Sequence, residues 1–375
     1  MKEEIQNQNK HIICLCRLLL QKGISFCLYR YPGADQYNVA IQKGLLPPTE
    51  EADFVIAPFI SSNEYGTELL QKVPPQVFTN NQFYNEIGER EDRPIGWGVL
   101  PAETTKEVYL SRIHQYLNYI RDEKALKAIL SRVKIIDKPA DFDPFSFYKK
   151  LSSAYPETFA SLFYIPGKGI WAGASPELFL KKERDILYTM ALAATLPLNR
   201  KGIYKWRRKE TREHDMVRRH IEHVFEKNDC KLIRSKGPYT FETGKVAHLK
   251  TDYAFELSGH HDLEQVISDL YPTPAIGGLP VQKALECINL YEGYSRNYYS
   301  GYLGETNGHD LVRLFINLRS MQIGEDAIAI FVGGGISDES DPQEEWEETI
   351  QKSFTLLEII EATTQGVLNK NEVIR

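Results

Sequence analysis

Ala327-Ile-Ala-Ile-Phe-Val-Gly-Gly-Gly335, with Asp341-Pro-Gln-Glu344 a few residues beyond, reads as a strand, a run of glycines and a capped helix. Alternating β-branched and aromatic residues argue for the strand over Ala327 to Val332. Asp-Pro-Gln-Glu has the form of a capping box with proline at the first helical position. Glycines beside a helix start let backbone N–H groups approach an anion, so a loop at Gly333, Gly334 and Gly335 could hold a carboxylate or phosphate. It is neither a Walker loop nor a GxGxxG turn, and by itself it reads equally well as a tight turn. In the helix that follows, Trp346, Ile350, Ser353 and Leu357 form an apolar stripe, while Glu345, Glu348 and Lys352 share a separate face. That face is either a solvated acidic surface or one wall of a pocket where carboxylates meet a divalent cation.

Working outward, further strand-like runs at Ala128 to Ile136, Leu178 to Lys181 and Asp310 to Ile323 alternate irregularly with helices. This pattern predicts a mixed protein built on antiparallel sheets. A helix beginning near Glu213 places Val217, Ile221 and Val224 on the same face as that glutamate, at steps of four, four and three. A carboxylate facing a core is costly unless paired or bound to metal. The plain alternative, which spacing alone favours, is a glutamate satisfying its own first helical turn. His214, His220 and His223 lack the i, i+4 pairing of an HExxH zinc helix and read as core or solvated histidines. Nearer the N-terminus, the spacing predicts helices around His11 to Gln21 and over Thr104 to Asp122, separated by the polar stretch Glu89 to Pro101. We place an internal boundary there, between residues 1–103, a divergent part of the same fold, and residues 104–375.

A chain of 375 residues, 42% hydrophobic and 26% charged, is long enough for a substantial core. Its net charge of −6 leaves no electrostatic footprint for nucleic acid. No apolar run approaches the length of a membrane span, and the N-terminus lacks the pattern of a signal peptide, so a cytoplasmic location is expected. The five cysteines are scattered, with no CxxC pair, and are expected to be reduced.

Several ordered motifs between Leu126 and Leu357 resemble those of the chorismate-utilising enzymes: Lys127-Ala-Ile-Leu-Ser-Arg132, Gly173-Ala-Ser-Pro-Glu177, Glu213-His214, His248-Leu249, Pro272-Thr-Pro-Ala-Ile-Gly-Gly-Leu-Pro280, Tyr299-Ser-Gly301, Arg319 and the run from Gly333 to Lys352. The resemblance implies an α+β fold with two large antiparallel sheets packed face to face and helices outside. It implies chorismate as the small-molecule substrate and Mg²⁺ as the cofactor, held by Glu213, Glu345 and Glu348. By the same resemblance Lys127 is the base that activates water and Glu177 the acid that protonates the departing hydroxyl. Ammonia needs no such base, so the lysine points to the water-adding branch, the isochorismate synthases. Arg319 and Lys352 match contacts to the substrate carboxylates, and Ala194, Thr195, His248, Ala275, Tyr299 and Gly333 to Gly335 complete the implied pocket.

Two segments bear on the branch. Ala193 stands where aminodeoxychorismate synthases carry a covalent lysine, and Pro-Thr-Pro-Ala at 272 to 275 resembles isochorismate synthases, so no glutaminase partner is expected. Ala194 departs from the glycine usual in the family, and Leu196-Pro197-Leu198 replaces a common Arg-Gly. The rival readings are a salicylate synthase, an ammonia-using synthase, and a chorismate-binding module without turnover.

Overall fold

The structure is a computed structural model that describes residues 2–47, 52–123, 125–199, 201–257, 263–307 and 311–364. The N-terminal part comprises α1 (Lys2–Gln21), β1 (Phe26–Arg30), β2 (Asn38–Gln42), β3 (Asp53–Ala57), β4 (Glu68–Lys72) and α2 (Asn81–Gly88). After a non-regular stretch come α3 (Lys106–Glu123), β5 (Lys127–Asp137), α4 (Pro144–Ala154), β6 (Phe159–Ile165), β7 (Gly169–Ser175), β8 (Leu178–Glu183) and β9 (Ile186–Pro197). The chain continues through α5 (Arg208–Lys227), β10 (Cys230–Thr243), β11 (Val246–Leu257), α6 (Leu263–Leu270), β12 (Gly278–Leu279) and α7 (Val281–Tyr291). It ends with β13 (Tyr302–Thr306), β14 (Leu311–Ile316), β15 (Ser320–Ile323), β16 (Ala327–Ile336) and α8 (Pro342–Thr363). Among the described residues no helix is long and apolar enough to cross a membrane.

Among the described residues sixteen strands form one hydrogen-bonded ladder in the order β10-β11-β9-β8-β14-β13-β3-β4-β2-β1-β6-β7-β15-β16-β5-β12. Phe159 of β6 and Phe315 of β14 lie six places apart in that order. In a flat sheet, six spacings of about 4.8 Å would separate them by roughly 29 Å. Their rings instead stack with centroids 4.3 Å apart. The ladder must therefore fold over on itself into two face-to-face layers, as expected, with the bend near β4 and β2. The strands β1 to β4 of the N-terminal part sit in the middle of this ladder and share its core.

An aromatic core fills the space between the layers, with Trp171 and Tyr298 at 5.7 Å and Tyr299 and Phe331 stacked at 5.3 Å. Helices cover the outside. Val217, Ile221 and Val224 of α5 pack with Leu187 and Ala191 of β9, and Ile12, Leu15 and Leu19 of α1 pack beside Leu28 and Leu162. The long outer strand β10 is exposed along most of its length. Its irregular pairing around Arg234 and Gly237-Pro238, with Lys231 and Lys236 on it, blunts an edge that would otherwise invite strand pairing.

Four sequence expectations are corrected. The strand predicted from Asp310 to Ile323 is two strands, β14 and β15, broken at Arg319, whose φ of 48° interrupts extended backbone; Asp310 itself lies outside the described residues. The glycines Gly333, Gly334 and Gly335 are not a loop but the last part of β16, paired with Ser131, Leu130 and Ile129 of β5. Their smallness serves close approach: a Cβ on Gly335 would stand 2.3 Å from Lys127 Cε, and one on Gly334 would stand 3.2 Å from Glu345 Oε2. The helix predicted near Glu213 begins earlier, at Arg208, so Glu213 lies beyond the first turn, and Glu210 makes the capping contacts there. The helix at His11 to Gln21 likewise starts earlier, at Lys2.

Candidate active site

The aromatic core stops at Tyr299 and Phe331, and their free surfaces form the floor of a cleft between the two layers of about 870 Å³, counting the open space at its mouth. Strand alternation explains how its residues arrive there. On β5, Val133 faces the inner core, so Ile129 and Lys127, two and three steps of two residues away, face the same way. Lys127 is almost wholly buried, 1% exposed, with Nζ donating to Glu213 Oε1 at 2.8 Å.

Glu177 lies in the two-residue connection between β7 and β8 and is 4% exposed in the same cleft. Burial pushes its carboxyl up to about 8, against a smaller downward pull from Lys127. Glu213 behaves differently. Burial would raise its pKa, but Lys127, with Lys352 and Lys209 behind it, pulls the carboxylate below its ordinary value. The cleft therefore holds one carboxyl kept protonated and one kept ionised near a single lysine.

On the opposite layer a bulge places Ala194 out of register between β9 and β11, with φ 63°. This left-handed conformation is the physical reason a glycine would suit that position. The bulge turns the Ala194 carbonyl toward His248, whose Nδ1 lies 3.0 Å away. Arg319 Nη2 lies 3.0 Å from His248 Nε2, and its Nη1 donates to Thr243 Oγ1 at 3.1 Å. Burial, then the charges of Arg319 and Lys352, press the His248 pKa down to about 3. Burial also lowers the Arg319 guanidinium to about 10. Thr195, Ala275 and Lys352 line the same cleft, and Lys352 Nζ reaches the Gly333 carbonyl at 2.8 Å.

Glu345 and Glu348 stand in an adjoining cleft that shares Thr195, Glu213 and Gly335 with the first. Spacing left that face of α8 open between solvent and a pocket wall; the structure buries Glu345, 2% exposed, because α8 is covered on that face as well as on its apolar stripe. Among the described residues no three His, Cys, Asp or Glu side chains are drawn together closely enough to hold a metal ion. Each of the three glutamates instead holds a lysine: Lys127 on Glu213 at 2.8 Å, Lys209 on Glu345 at 2.7 Å and Lys352 on Glu348 at 2.7 Å. Burial and the neighbouring Glu348 raise the Glu345 carboxyl, a like-charge repulsion that a divalent cation would relieve. The donors are all carboxylate oxygens, the set that suits a hard cation.

Sequence reading missed Lys209 and Ser340, which hold Glu345 Oε1 at 2.7 Å each, and Thr243, which holds Arg319. Lys209 was within reach of spacing, since it precedes Glu213 by four residues on one helix face. Thr243 carries no signal, because only the tertiary fold brings the end of β10 to Arg319.

The sequence model described as chorismate binding enzyme matches residues 61–358. The vibriobactin-specific isochorismate synthase of Vibrio cholerae is 27% identical over 301 residues, 76% of each chain. Anthranilate synthase component 1 of Streptomyces coelicolor is 27% identical over 274 residues, 70% of this chain and 52% of that one. Among solved structures, the menaquinone-specific isochorismate synthase of Escherichia coli superposes with a TM-score of 0.71 at 18% identity, covering 92% of this chain and 91% of that one. Together with the family match over most of its length, these likenesses show that the chain belongs to the chorismate-binding enzymes.

Proposed function

We propose that the protein is a Mg²⁺-dependent isochorismate synthase, which adds water to the ring of chorismate and expels the ring hydroxyl. The observation that carries this reading is the burial of Lys127 and Glu177 in one cleft, with the carboxyl of Glu177 raised to about 8. A protonated carboxyl at neutral pH is a general acid, and an amine beside it is a base for water, which is too weak a nucleophile without one. Water oxygen bonds to the ring as Lys127 takes its proton. The ring double bonds shift, the bond to the ring hydroxyl breaks, and Glu177 gives that hydroxyl the proton with which it leaves as water.

Arg319 and Lys352 supply cationic contacts for the two carboxylates of the substrate, the arginine offering a planar fork of donors. Glu213, Glu345 and Glu348 would hold Mg²⁺, displacing their lysines. When bound, the cation neutralises these acids and supplies positive charge for a substrate carboxylate. Leu192, Ile276 and Phe331 give the ring an apolar, water-poor bed. With water as nucleophile, no glutaminase partner is required.

The test is product analysis with chorismate, Mg²⁺ and excess ammonium. Isochorismate is expected, without anthranilate or aminodeoxychorismate and with little pyruvate, and Lys127→Ala should lower turnover by about 10² or more. An amino product, or pyruvate released in step with chorismate consumption, overturns the assignment within the family.

A further inference from the structure

Lys127 is reached from two sides. In front it lines the large cleft; behind, Lys127 and Glu213 also line a second, much narrower crevice with room for about one water molecule. One wall is a single stripe of α5, in which Lys209, Arg212, Glu213 and Met216 recur at i, i+3, i+4 and i+7. The facing wall is Leu126 and the turn after β16. The outer end lies at the surface, where Arg212 bridges to Glu339 at 3.1 Å and to Asp338 at 3.7 Å, all three exposed. Ion pairs this exposed contribute little, so they strap the mouth without sealing it.

The chemistry gives such a passage a use. If Lys127 is the base proposed above, on which this inference rests, each turnover consumes a water on the lysine's side and forms another on the side of Glu177. A ring seated in the front cleft excludes bulk water from Lys127 at that moment. The geometry points to the rear cavity as the route by which water reaches Lys127. Met216 sets its bore and Arg212 its mouth. The balance is complete: the proton that Lys127 takes from the incoming water is given up to solvent after turnover, and Glu177 regains one from solvent. The polar lining offers an entering water the several hydrogen-bond partners that an enclosed site needs.

The experiment uses isocyanic acid, a small neutral reagent that adds across an amine to give a urea with no leaving group. Full-length protein is treated with cyanate, with the front cleft either empty or saturated by chorismate and Mg²⁺, and Lys127 carbamylation is read by mass spectrometry. In the native protein Lys127 should react with the cleft filled. In Met216→Trp and the milder Met216→Phe, reaction with the cleft filled should fall about tenfold while reaction with it empty is unchanged; kcat should fall similarly with little change in KM. Arg212→Ala should react faster. Complete protection of native Lys127 by substrate, or indifference to both Met216 variants, overturns the passage. Should the native lysine prove unreactive even with the cleft empty, unchanged kcat in both Met216 variants overturns it. Wild-type turnover in Lys127→Ala would instead remove the base itself, a separate failure of the function proposed above.

Discussion

Arg319 and His248 share a hydrogen bond of 3.0 Å in which only the arginine can donate, which assigns the imidazole tautomer. Nε2 accepts, so the proton sits on Nδ1 and is donated to the Ala194 carbonyl at 3.0 Å. Both ring nitrogens are thereby committed, and His248 acts by aiming the guanidinium. His248→Ala should raise KM for chorismate about tenfold with a smaller effect on kcat, while His248→Gln, which can both accept and donate, retains most of the affinity. Steady-state kinetics check this; a loss confined to kcat would contradict it.

Glu177 gives a pH dependence with a definite sign. Its folded value of about 8 lies above its ordinary 4.5, so the folded state binds the extra proton. The associated stability is complete below pH 4.5 and is lost as pH rises through 8. Glu177→Gln should therefore raise Tm relative to the native protein increasingly between about pH 5 and about pH 9, while lowering turnover by about 10² or more. In the native enzyme kcat/KM should fall above pH 8. A stability difference that does not change with pH would count against a protonated Glu177.

The metal proposal predicts that EDTA abolishes activity and that Mg²⁺ restores it. At a concentration 100-fold above its Kd, Mg²⁺ should stabilise the chain by about 2.7 kcal/mol. Glu345→Ala and Glu213→Ala should lose both effects, as followed by thermal unfolding with and without the ion. Full activity in metal-free buffer would rule out the requirement.

Beneath the cleft, Arg296 and Glu292 form a fully buried ion pair at 2.6 Å, and Arg296 also donates to the carbonyls of Ile276 and Ile129. These contacts tie the loop carrying Ala275 to β5. Arg296→Met leaves Glu292 charged and unpaired, and should cost about 3–5 kcal/mol in denaturant unfolding. Adding Glu292→Gln should recover part of that loss.

Ala194 holds a left-handed backbone that L-residues adopt at a cost of about 1–2 kcal/mol, offset in part by the unfolded-state freedom of glycine. Ala194→Gly should therefore leave stability unchanged or raise it by up to about 1 kcal/mol, measured by denaturant unfolding, and leave product identity unchanged. Marked destabilisation would show that the methyl group packs usefully against the cleft.

The order of the motifs by itself determined the family, because each carries residue types rather than a shape. Helix spacing also sufficed for α3, where one face is polar and the other apolar, and short runs rich in strand-forming residues sufficed for β5 and β8. Spacing left α8 undecided, since a helix buried on two faces breaks the rule that polar residues away from the stripe are solvated. It misread Gly333 to Gly335 because glycine serves a turn and a close approach equally well, and only the position of Lys127 Cε shows which is in use. The pairing of Lys209 with Glu345, the bulge at Ala194 and the hold of Thr243 on Arg319 were decided by tertiary structure alone. Each joins segments distant along the chain, and local propensity carries no information about which side chains the folding of one ladder into two layers will bring within hydrogen-bond reach.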